Sequence, residues 1–272
     1  MSRTETRVET RTIAVTNQKG GVAKTTTVAS LAAALAEQGE RVAVVDLDPQ
    51  ACLTFSLGVD PEEVELSVNE ALLGKADLVD TVVPLDEGFD LVPSTIELAG
   101  VEAALLTRTG RELAVRHLLD GLHDDVDEPY GWVFLDCPPS LGVLTINALT
   151  AAGEVMVPLQ CETLSHRGVG QLLDTVHDVR RLLNPRLRML GVLPTLFDAR
   201  TNHARAVLAD ISDRYGLPVL QPAIPKTVRF AEAPAAGRTV LETARSSRGA
   251  AAYRELARGL LDGSATREVA AP

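Results

Sequence analysis

The sequence TIAVTNQKGGVAKTTTVASLAAAL, residues 12–35, combines three predicted elements in one continuous run. The apolar residues 13–15 predict a buried strand, residues 17–23 a glycine-containing turn, and residues 24–35 a helix with one apolar face. The backbone N–H groups of such a turn and the positive end of a helix can surround an anion. This order of elements is therefore typical of a phosphate-binding loop.

Individual side chains in this run fit the binding of a nucleotide with magnesium. Gly20 and Gly21 allow the backbone to approach a phosphate closely, and Lys24 would contact the β- and γ-phosphates. The hydroxyl of Thr25 would ligate Mg²⁺, and Thr26 would add a phosphate contact. The alternative is a tight turn that binds nothing, and it leaves the two lysines of this run and its three consecutive threonines, residues 25–27, without a role.

The run departs from the common pattern G-x-x-x-x-G-K-[ST] at both glycine positions, which hold Gln18 and Ala23. An additional lysine, Lys19, precedes the glycine pair, and Val22 and Ala23 complete the predicted nucleotide-binding loop. The pattern K-G-G-x-x-K-T-T is the deviant Walker A motif, and the segment resembles the ParA/Soj branch of the ParA/MinD ATPases. This resemblance implies ATP as the nucleotide and a role for Lys19 at the partner's nucleotide across a dimer. A methyl group at Ala23 is harmless if φ is negative there and costly if φ is positive, so nucleotide affinity depends on that angle.

Residues 41–48, RVAVVDLD, predict a second buried strand. Asp46 and Asp48 are two residues apart, so both are expected to point the same way at the end of the strand where ligands bind in open α/β sheets. The alternative for Asp48 is a helix cap before Pro49. The resemblance implies that Asp48 belongs to a first switch region and helps to position the hydrolytic water.

Residues 131–142, GWVFLDCPPSLG, form the second informative stretch. Residues 132–135 predict a buried strand whose end exposes Asp136, the position of a Walker B aspartate that holds Mg²⁺ through water. An aspartate at a strand end is often only a cap, but the phosphate-binding loop upstream favours the metal role. The segment also resembles the second switch of ParA proteins, with Gly142 as a hinge.

The remaining pattern predicts an α/β fold with a doubly wound, mostly parallel sheet and helices on both faces, because apolar strands alternate with helices. Further predicted strands are residues 89–93, 154–162, 189–197 and 217–221, and predicted helices are residues 96–106, 111–122 and 164–183. We expect a disordered leader at residues 1–11, a single domain over residues 12–261 and a flexible tail at residues 262–272.

The composition limits the location and the cofactor class. The chain has no run of eighteen apolar residues and no signal-peptide pattern at its N-terminus, so a cytoplasmic protein is expected. Cys52, Cys137 and Cys161 have no C-x-x-C spacing, which argues against zinc, iron–sulfur and a disulfide framework. We expect all three to be small buried residues.

The charge is distributed unevenly along the chain, although the net charge is −11. Residues 180–260 contain fourteen Lys and Arg against six Asp and Glu, whereas residues 1–179 contain eleven against twenty-nine. This asymmetry is expected if one face meets a phosphate backbone, and an arginine-rich solvated surface is the alternative. The resemblance extends to residue 261, and by position it implies nonspecific DNA contacts from Arg200, Lys226, Arg229, Arg245 and Arg248. For Arg229, an ion pair with Glu232 one helical turn on is a competing role.

The resemblance predicts an ATPase that forms a homodimer with Mg²⁺ and ATP, binds double-stranded DNA nonspecifically and drives chromosome or plasmid partitioning with a ParB-like partner. It would be associated with the nucleoid. The tail DGSATREVAAP has no apolar face, which argues against a membrane-targeting helix. Two alternatives stay open: a MinD-like switch that acts on a protein or membrane without DNA, and a metabolic enzyme with a small substrate.

Overall fold

The computed structural model describes residues 10–126, 128–162 and 165–267. The strands in these residues are β1 (Arg11–Val15), β2 (Val42–Asp46), β3 (Val83–Pro84), β4 (Asp90–Val92), β5 (Trp132–Asp136), β6 (Glu154–Gln160), β7 (Arg188–Thr195), β8 (Val219–Leu220) and β9 (Thr266–Arg267). They form one nine-stranded sheet in the order β3-β4-β2-β5-β1-β6-β7-β8-β9. Neighbouring strands are parallel except at the two edges, where β3 and β9 pair antiparallel with β4 and β8.

Helices cover both faces of the sheet. They are α1 (Lys24–Ala36), α2 (Cys52–Ser56), α3 (Val68–Leu73), α4 (Leu98–Leu105), α5 (Ala114–Asp125), α6 (Val143–Ala151), α7 (Ser165–Leu182), α8 (Asn202–Tyr215), α9 (Arg229–Glu232), α10 (Val240–Thr243) and α11 (Arg248–Asp262). Short 3₁₀ helices cover Leu78–Thr81, Arg111–Leu113 and Pro234–Ala236. None of the helices in the described part of the chain is long and apolar enough to cross a membrane.

Alternation along the central strands builds two separate cores. In β2, Ala43 and Val45 pack into one core, whereas Val42 and Val44 pack into the other. The first core is completed by α3 to α8, and the second by α1, α2 and α9 to α11. The predicted doubly wound, mostly parallel sheet is therefore confirmed. The edge strands β3 and β9 were not predicted because two residues are too few to show alternation.

Local sequence sets the ends of the helices. The hydroxyl of Ser67 accepts a hydrogen bond from the N–H of Asn69 in the first turn of α3 (3.2 Å). The carboxylate of Glu70 accepts one from the N–H of Ser67 (3.0 Å), which completes a capping box. The hydroxyl of Ser247 likewise accepts from the N–H of Ala250 at the start of α11. Gly263 ends that helix with φ = 77°, a conformation that glycine adopts without strain.

Regular structure extends past both predicted domain limits. Arg11 begins β1, and its Nη1 donates a hydrogen bond to the carbonyl of Leu260 in α11 (2.6 Å). Beyond residue 261, β9 adds a strand to the sheet. The rest of the predicted leader, residues 1–9, and of the predicted tail, residues 268–272, lies outside the described residues.

Two of the three cysteines follow the prediction. Cys137 and Cys161 are buried, but Cys52 is exposed. The prediction for Cys52 is wrong because this residue begins the short surface helix α2 instead of lying in the core.

Candidate functional site

The phosphate-binding loop between β1 and α1 is held by the strands beside it. The amide of buried Asn17 donates to the carbonyl of Pro158 in β6 (2.8 Å) and accepts from the N–H of Lys19 (3.0 Å). The hydroxyl of Thr195, at the end of β7, donates to the carbonyl of Val22 (2.9 Å). These contacts fix the loop at the carboxyl edge of the sheet, where ligands bind in this architecture.

The loop leaves open space at its two glycines. A Cβ atom built on Gly20 or Gly21 would have no other atom within 4 Å, and Gly21 has φ = 73°, which favours glycine. Ala23 precedes α1 and has no polar side chain that could cap the helix. The first N–H groups of α1 are thus available to an anion, beside the half-buried Thr25 and Thr26.

Ala23 itself has φ = 65° and ψ = 35°, in the left-handed region. An L-residue there costs roughly 1–2 kcal/mol, because its Cβ approaches the following carbonyl oxygen, whereas glycine avoids this cost. From the sequence alone, the cost of the methyl group depends on the sign of φ at Ala23. Because φ is positive, the methyl group is costly. The methyl group strains the loop that is predicted to hold the nucleotide.

Ala23→Gly is expected to raise the free energy of unfolding by about 0.5–1 kcal/mol, since relief of strain exceeds the added entropy of the unfolded chain. ATP affinity is expected to rise with it, because the loop then keeps its conformation at lower cost. Urea unfolding and nucleotide titration measure the two effects. Ala251→Gly, at an exposed position inside α11, is the control and is expected to lower stability by about 1 kcal/mol. A loss of stability in both variants would contradict the role of strain.

The arrangement of Thr25, Asp136 and Lys24 fits a magnesium ion. The hydroxyl of Thr25 donates to Oδ2 of Asp136 (2.7 Å), and the other carboxylate oxygen, Oδ1, is buried without a partner among the described residues. Burial raises the pKa of Asp136 well above its ordinary value, and the nearby charge of Asp46 adds to this shift. Lys24 is buried beside them and lowers the same pKa. A divalent cation held by Thr25 directly and by Asp136 through water would stabilise this buried charge.

Asp46 and Asp48 do not extend from one strand as predicted. β2 ends at Asp46, and the N–H of Asp48 turns back to donate to Oδ1 of Asp46 (3.1 Å). Oδ1 of Asp48 accepts from the N–H of Gln50 (2.9 Å). The alternative role of Asp48 as a helix cap is wrong, because α2 begins at Cys52 and Ala51 takes the capping position. The carboxylate of Asp48 is instead held in a turn at the carboxyl edge of the sheet.

Two residues that the sequence analysis missed hold this turn. Thr54 donates from its N–H and its hydroxyl to Oδ2 of Asp46 (2.9 and 2.8 Å). Ser94 donates from its N–H to the Thr54 hydroxyl (2.9 Å) and from its own hydroxyl to the carbonyl of Asp48 (3.0 Å). Burial raises the pKa of Asp46 to about 6, and the bonds from Thr54 limit the shift. No local sequence pattern predicts these contacts, since the partners are distant in sequence.

Thr54→Val is expected to lower the free energy of unfolding by about 2–3 kcal/mol. The variant keeps the shape of the side chain, but it leaves the N–H of Ser94 without an acceptor and removes one donor from buried Asp46. Denaturant unfolding measures the loss. Thr175→Val is the control, because its hydroxyl donates to the carbonyl of Gln171 on the surface of α7, and a change within about 0.5 kcal/mol is expected. Equal losses in both variants would contradict this network.

Lys19 lies at the rim of the loop and contacts its own chain. Its Nζ is 2.5 Å from Oε2 of Glu162, and the two side chains are 41% and 53% exposed. An ion pair this exposed contributes about 0–1 kcal/mol, so Lys19 can exchange Glu162 for another anion at little cost. The role of Lys19 across a dimer stays a prediction.

The five cations predicted to contact DNA are all exposed, and we call them the cationic patch: Arg200, Lys226, Arg229, Arg245 and Arg248. The structure brings their segments together. The N–H of Lys226 donates to the carbonyl of Phe197 (3.3 Å), three residues before Arg200. A Cβ atom at Gly249 would lie 2.6 Å from the ring of Phe230, which places the start of α11 against α9.

Three members of the cationic patch also pair with carboxylates of this chain. Arg229 contacts Glu232 at 2.7 Å, which confirms the ion pair named as its alternative role. Arg245 pairs with Glu242. Arg200 binds Asp198 with two nitrogens (2.9 and 2.8 Å), and these bonds lower the pKa of Asp198 to about 2. Because the pairs are exposed, a phosphate could replace each carboxylate.

Comparison with known proteins finds a matching family model and relatives that cover most of the chain. A family model described as an AAA domain matches residues 10–189. The chromosome-partitioning ATPase Soj of Thermus thermophilus is 47% identical over 251 residues, which cover 92% of this chain and 95% of the relative. The chromosome partitioning protein ParA of Caulobacter vibrioides is 40% identical over 262 residues, or 96% of this chain and 97% of the relative.

A solved structure extends the comparison to bound ligands. The cobyrinic acid a,c-diamide synthase of Mycobacterium smegmatis, with a bound ATP analogue and magnesium, has a TM-score of 0.84 and 55% identity, and covers 96% of this chain and 99% of that chain. Its ligands are the nucleotide and the ion that the loop, Lys24, Thr25 and Asp136 fit. The chain therefore belongs to the ParA/Soj family of deviant Walker A P-loop ATPases, which use ATP and Mg²⁺.

Proposed function

We propose that this ATPase dimerises when it binds Mg²⁺ and ATP, binds double-stranded DNA nonspecifically in that state, and releases it after hydrolysis. It would serve chromosome or plasmid partitioning, or the positioning of another cargo, at the nucleoid in the cytoplasm with a ParB-like partner. The observation that carries the proposal is the exposed cationic patch on a chain whose net charge is −11. The names of the Thermus and Caulobacter relatives support the partitioning role.

Hydrolysis in this proposal depends mainly on electrostatic stabilisation. Lys24 and the partner's Lys19 would neutralise charge on the transferring phosphoryl group. Mg²⁺, held by Thr25 and through water by Asp136, would supply further positive charge. Asp48 would orient the attacking water from its turn beside the loop.

Dimerisation explains why DNA binding would depend on ATP. Lysine and arginine contacts to phosphates read no sequence, and each contributes a modest free energy. Two protomers held together present two cationic patches to one duplex, so the second set of contacts forms at a high effective concentration. A single chain has only one patch, in which three arginines are already paired with carboxylates.

The combined variant Arg200→Ala/Arg229→Ala is expected to weaken ATP-dependent binding to a nonspecific duplex by at least about tenfold at low salt. The parent should bind with Mg·ATP and not with Mg·ADP. The slope of log affinity against log salt should become shallower by about 2 for each protomer, since each lost phosphate contact removes about one unit. Fluorescence anisotropy with a labelled duplex over a salt series gives both quantities.

Arg181→Ala is the matched control, because Arg181 forms an i,i+3 ion pair with Asp178 on α7, as Arg229 does with Glu232 on α9. Its DNA affinity and salt slope should equal those of the parent. Absence of DNA binding with either nucleotide, while ATP still drives dimerisation, would refute the DNA part and favour the MinD-like switch.

A second candidate function follows from the similarity to the Mycobacterium smegmatis enzyme, whose name describes a ligase-type amidation. An enzyme of that kind would hydrolyse ATP faster when its carboxylic acid substrate is added, and it would bind no DNA. ATP turnover measured with cobyrinic acid and an ammonium salt as the nitrogen donor, beside the DNA titration, separates the two functions.

A further inference from the structure

Ala23 has a strained, left-handed backbone, and hydrogen bonds on both sides hold it in place. On one side, the hydroxyl of Thr195 donates to the carbonyl of Val22 (2.9 Å). On the other side, the N–H of Thr27 donates to the carbonyl of Ala23 itself (2.9 Å). A strained conformation of this kind persists only where the surrounding structure fixes it. The contacts of Thr27 therefore help to decide the shape of the phosphate-binding loop.

Thr27 is the fully buried residue in the first turn of α1, whose residues 24–26 are assigned to the nucleotide and its ion. Its hydroxyl lies 3.0 Å from the hydroxyl of Tyr253 in α11, and either group can donate to the other. Tyr253 is fully buried as well, so solvent offers neither hydroxyl another partner. Burial raises the pKa of Tyr253, and the phenol therefore stays protonated. One buried hydrogen bond thus ties the start of α1 to α11.

The ring of Tyr253 is itself held by the core. It packs edge to face against Phe230 of α9, with the ring centroids 5.8 Å apart and the ring planes at 71°. A Cβ atom built on Gly249 would lie 2.6 Å from the Phe230 ring, so the start of α11 closes on that ring too. In a core packed this closely, neither ring can move without displacing its neighbours. The hydroxyl of Tyr253 is therefore a fixed point to which the first turn of α1 is attached.

We infer that Tyr253 is a positioning residue for nucleotide binding, which holds the phosphate-binding loop in shape through Thr27 and the left-handed Ala23. Glycine in place of Ala23 would need no such support, because glycine adopts a positive φ without strain. Tyr253 therefore compensates for the alanine in this loop. Without its hydroxyl, the loop would relax for part of the time, and the apparent affinity would fall with the fraction of chains that stay competent to bind. Neither DNA binding nor dimerisation enters this inference.

Tyr253→Phe keeps the ring and removes the hydroxyl, and we expect it to weaken nucleotide binding about threefold to tenfold. Titration with fluorescent analogues of ADP and of ATP measures the affinity. Both should weaken by the same factor, since the loop holds phosphates in each. At saturating ATP, kcat should stay within about twofold of the parent, because bound nucleotide then holds the loop. A loss confined to ATP would assign Tyr253 to dimerisation and overturn the inference.

Tyr130→Phe is the matched control. Tyr130 is also buried, and its hydroxyl donates to Oδ2 of Asp90 (2.7 Å), but it precedes β5 at the opposite, amino edge of the sheet. This variant should lose stability in urea unfolding, as Tyr253→Phe does, and keep the parental affinity for both nucleotides. Equal nucleotide affinities in Tyr253→Phe, Tyr130→Phe and the parent would overturn the inference.

The Ala23→Gly background separates positioning from a general loss of packing. There Tyr253→Phe should change nucleotide affinity by less than about twofold, because the loop no longer needs to be held. An equal loss of affinity in both backgrounds would overturn the link between Tyr253 and Ala23.

Thr27→Val removes the same hydrogen bond from its other end and serves as well if Tyr253→Phe folds poorly. It should weaken binding about as much as Tyr253→Phe, and the two changes together should add little, since both remove one bond. Parental affinity in Thr27→Val would also contradict the inference.

Discussion

Lys24→Ala is expected to lower kcat/KM for ATP hydrolysis by about 10²–10³-fold, the loss seen when one preorganised charge is removed from a transition-state site. Lys24 is buried at the first position of α1, directly after the open loop of Gly20 and Gly21. The side chain of Lys24 therefore has little contact with solvent and is already placed beside the loop where the β- and γ-phosphates are expected to lie. Single-turnover hydrolysis and titration with a fluorescent ATP analogue measure the loss of chemistry and of affinity separately.

Lys75→Ala is the control for this experiment, because Lys75 is an exposed lysine just beyond α3. Parental turnover is expected from it. Lys24 also lowers the pKa of buried Asp136, so its removal leaves the negative charge of that carboxylate less stabilised. Circular dichroism of the variant should therefore be measured to show that it is folded. A folded Lys24→Ala variant that hydrolyses ATP as fast as the parent would refute the assignment of the loop as the nucleotide site, and the proposed cycle with it.

The parts of the fold that the sequence predicted are those in which the signal is local. Residues 13–15 and 24–35 became β1 and α1 almost unchanged, since an apolar run and an alanine-rich helix each carry their own pattern. The predicted strand at 41–48 was too long. β2 ends at Asp46 because the carboxylate of Asp46 accepts a hydrogen bond from the N–H of Asp48. The turn formed by this bond competes with continuation of the strand.

The parts that could not be predicted depend on contacts between distant segments. Thr54 and Ser94 hold Asp46 and Asp48 from α2 and from the segment after β4, and neither has a motif around it. The groove beside Asp48 is lined by residues of four separate segments, 49–51, 55, 60–70 and 95–97, so its shape exists only in the folded chain. For Ala23, the sequence shows that the cost of the methyl group depends on φ, but the value of 65° is set by the folded structure.

Asp48→Asn is expected to slow ATP hydrolysis by about 10²-fold or more, within the range for loss of a group that assists proton transfer or orients water. ATP affinity should change by less than about threefold, since Asp48 is not assigned to the phosphates or the ion. The variant is close to isosteric. Asparagine Oδ1 can still accept the N–H of Gln50, and the bond from Ser94 goes to the backbone carbonyl. The turn should therefore persist while the negative charge is lost.

Asp262→Asn is the matched control, because Oδ1 of Asp262 accepts the N–H of Ser264 two residues on (2.9 Å), as Asp48 does with Gln50, but at the exposed last residue of α11. It should hydrolyse ATP at the parental rate. Slow hydrolysis in Asp48→Asn should also keep ATP in the dimer for longer. Its complex with nonspecific DNA should outlast that of the parent after free ATP is removed. Parental turnover in Asp48→Asn would rule out a role for this carboxylate in hydrolysis, and loss of ATP binding would show that Asp48 holds the nucleotide or its ion instead of the water.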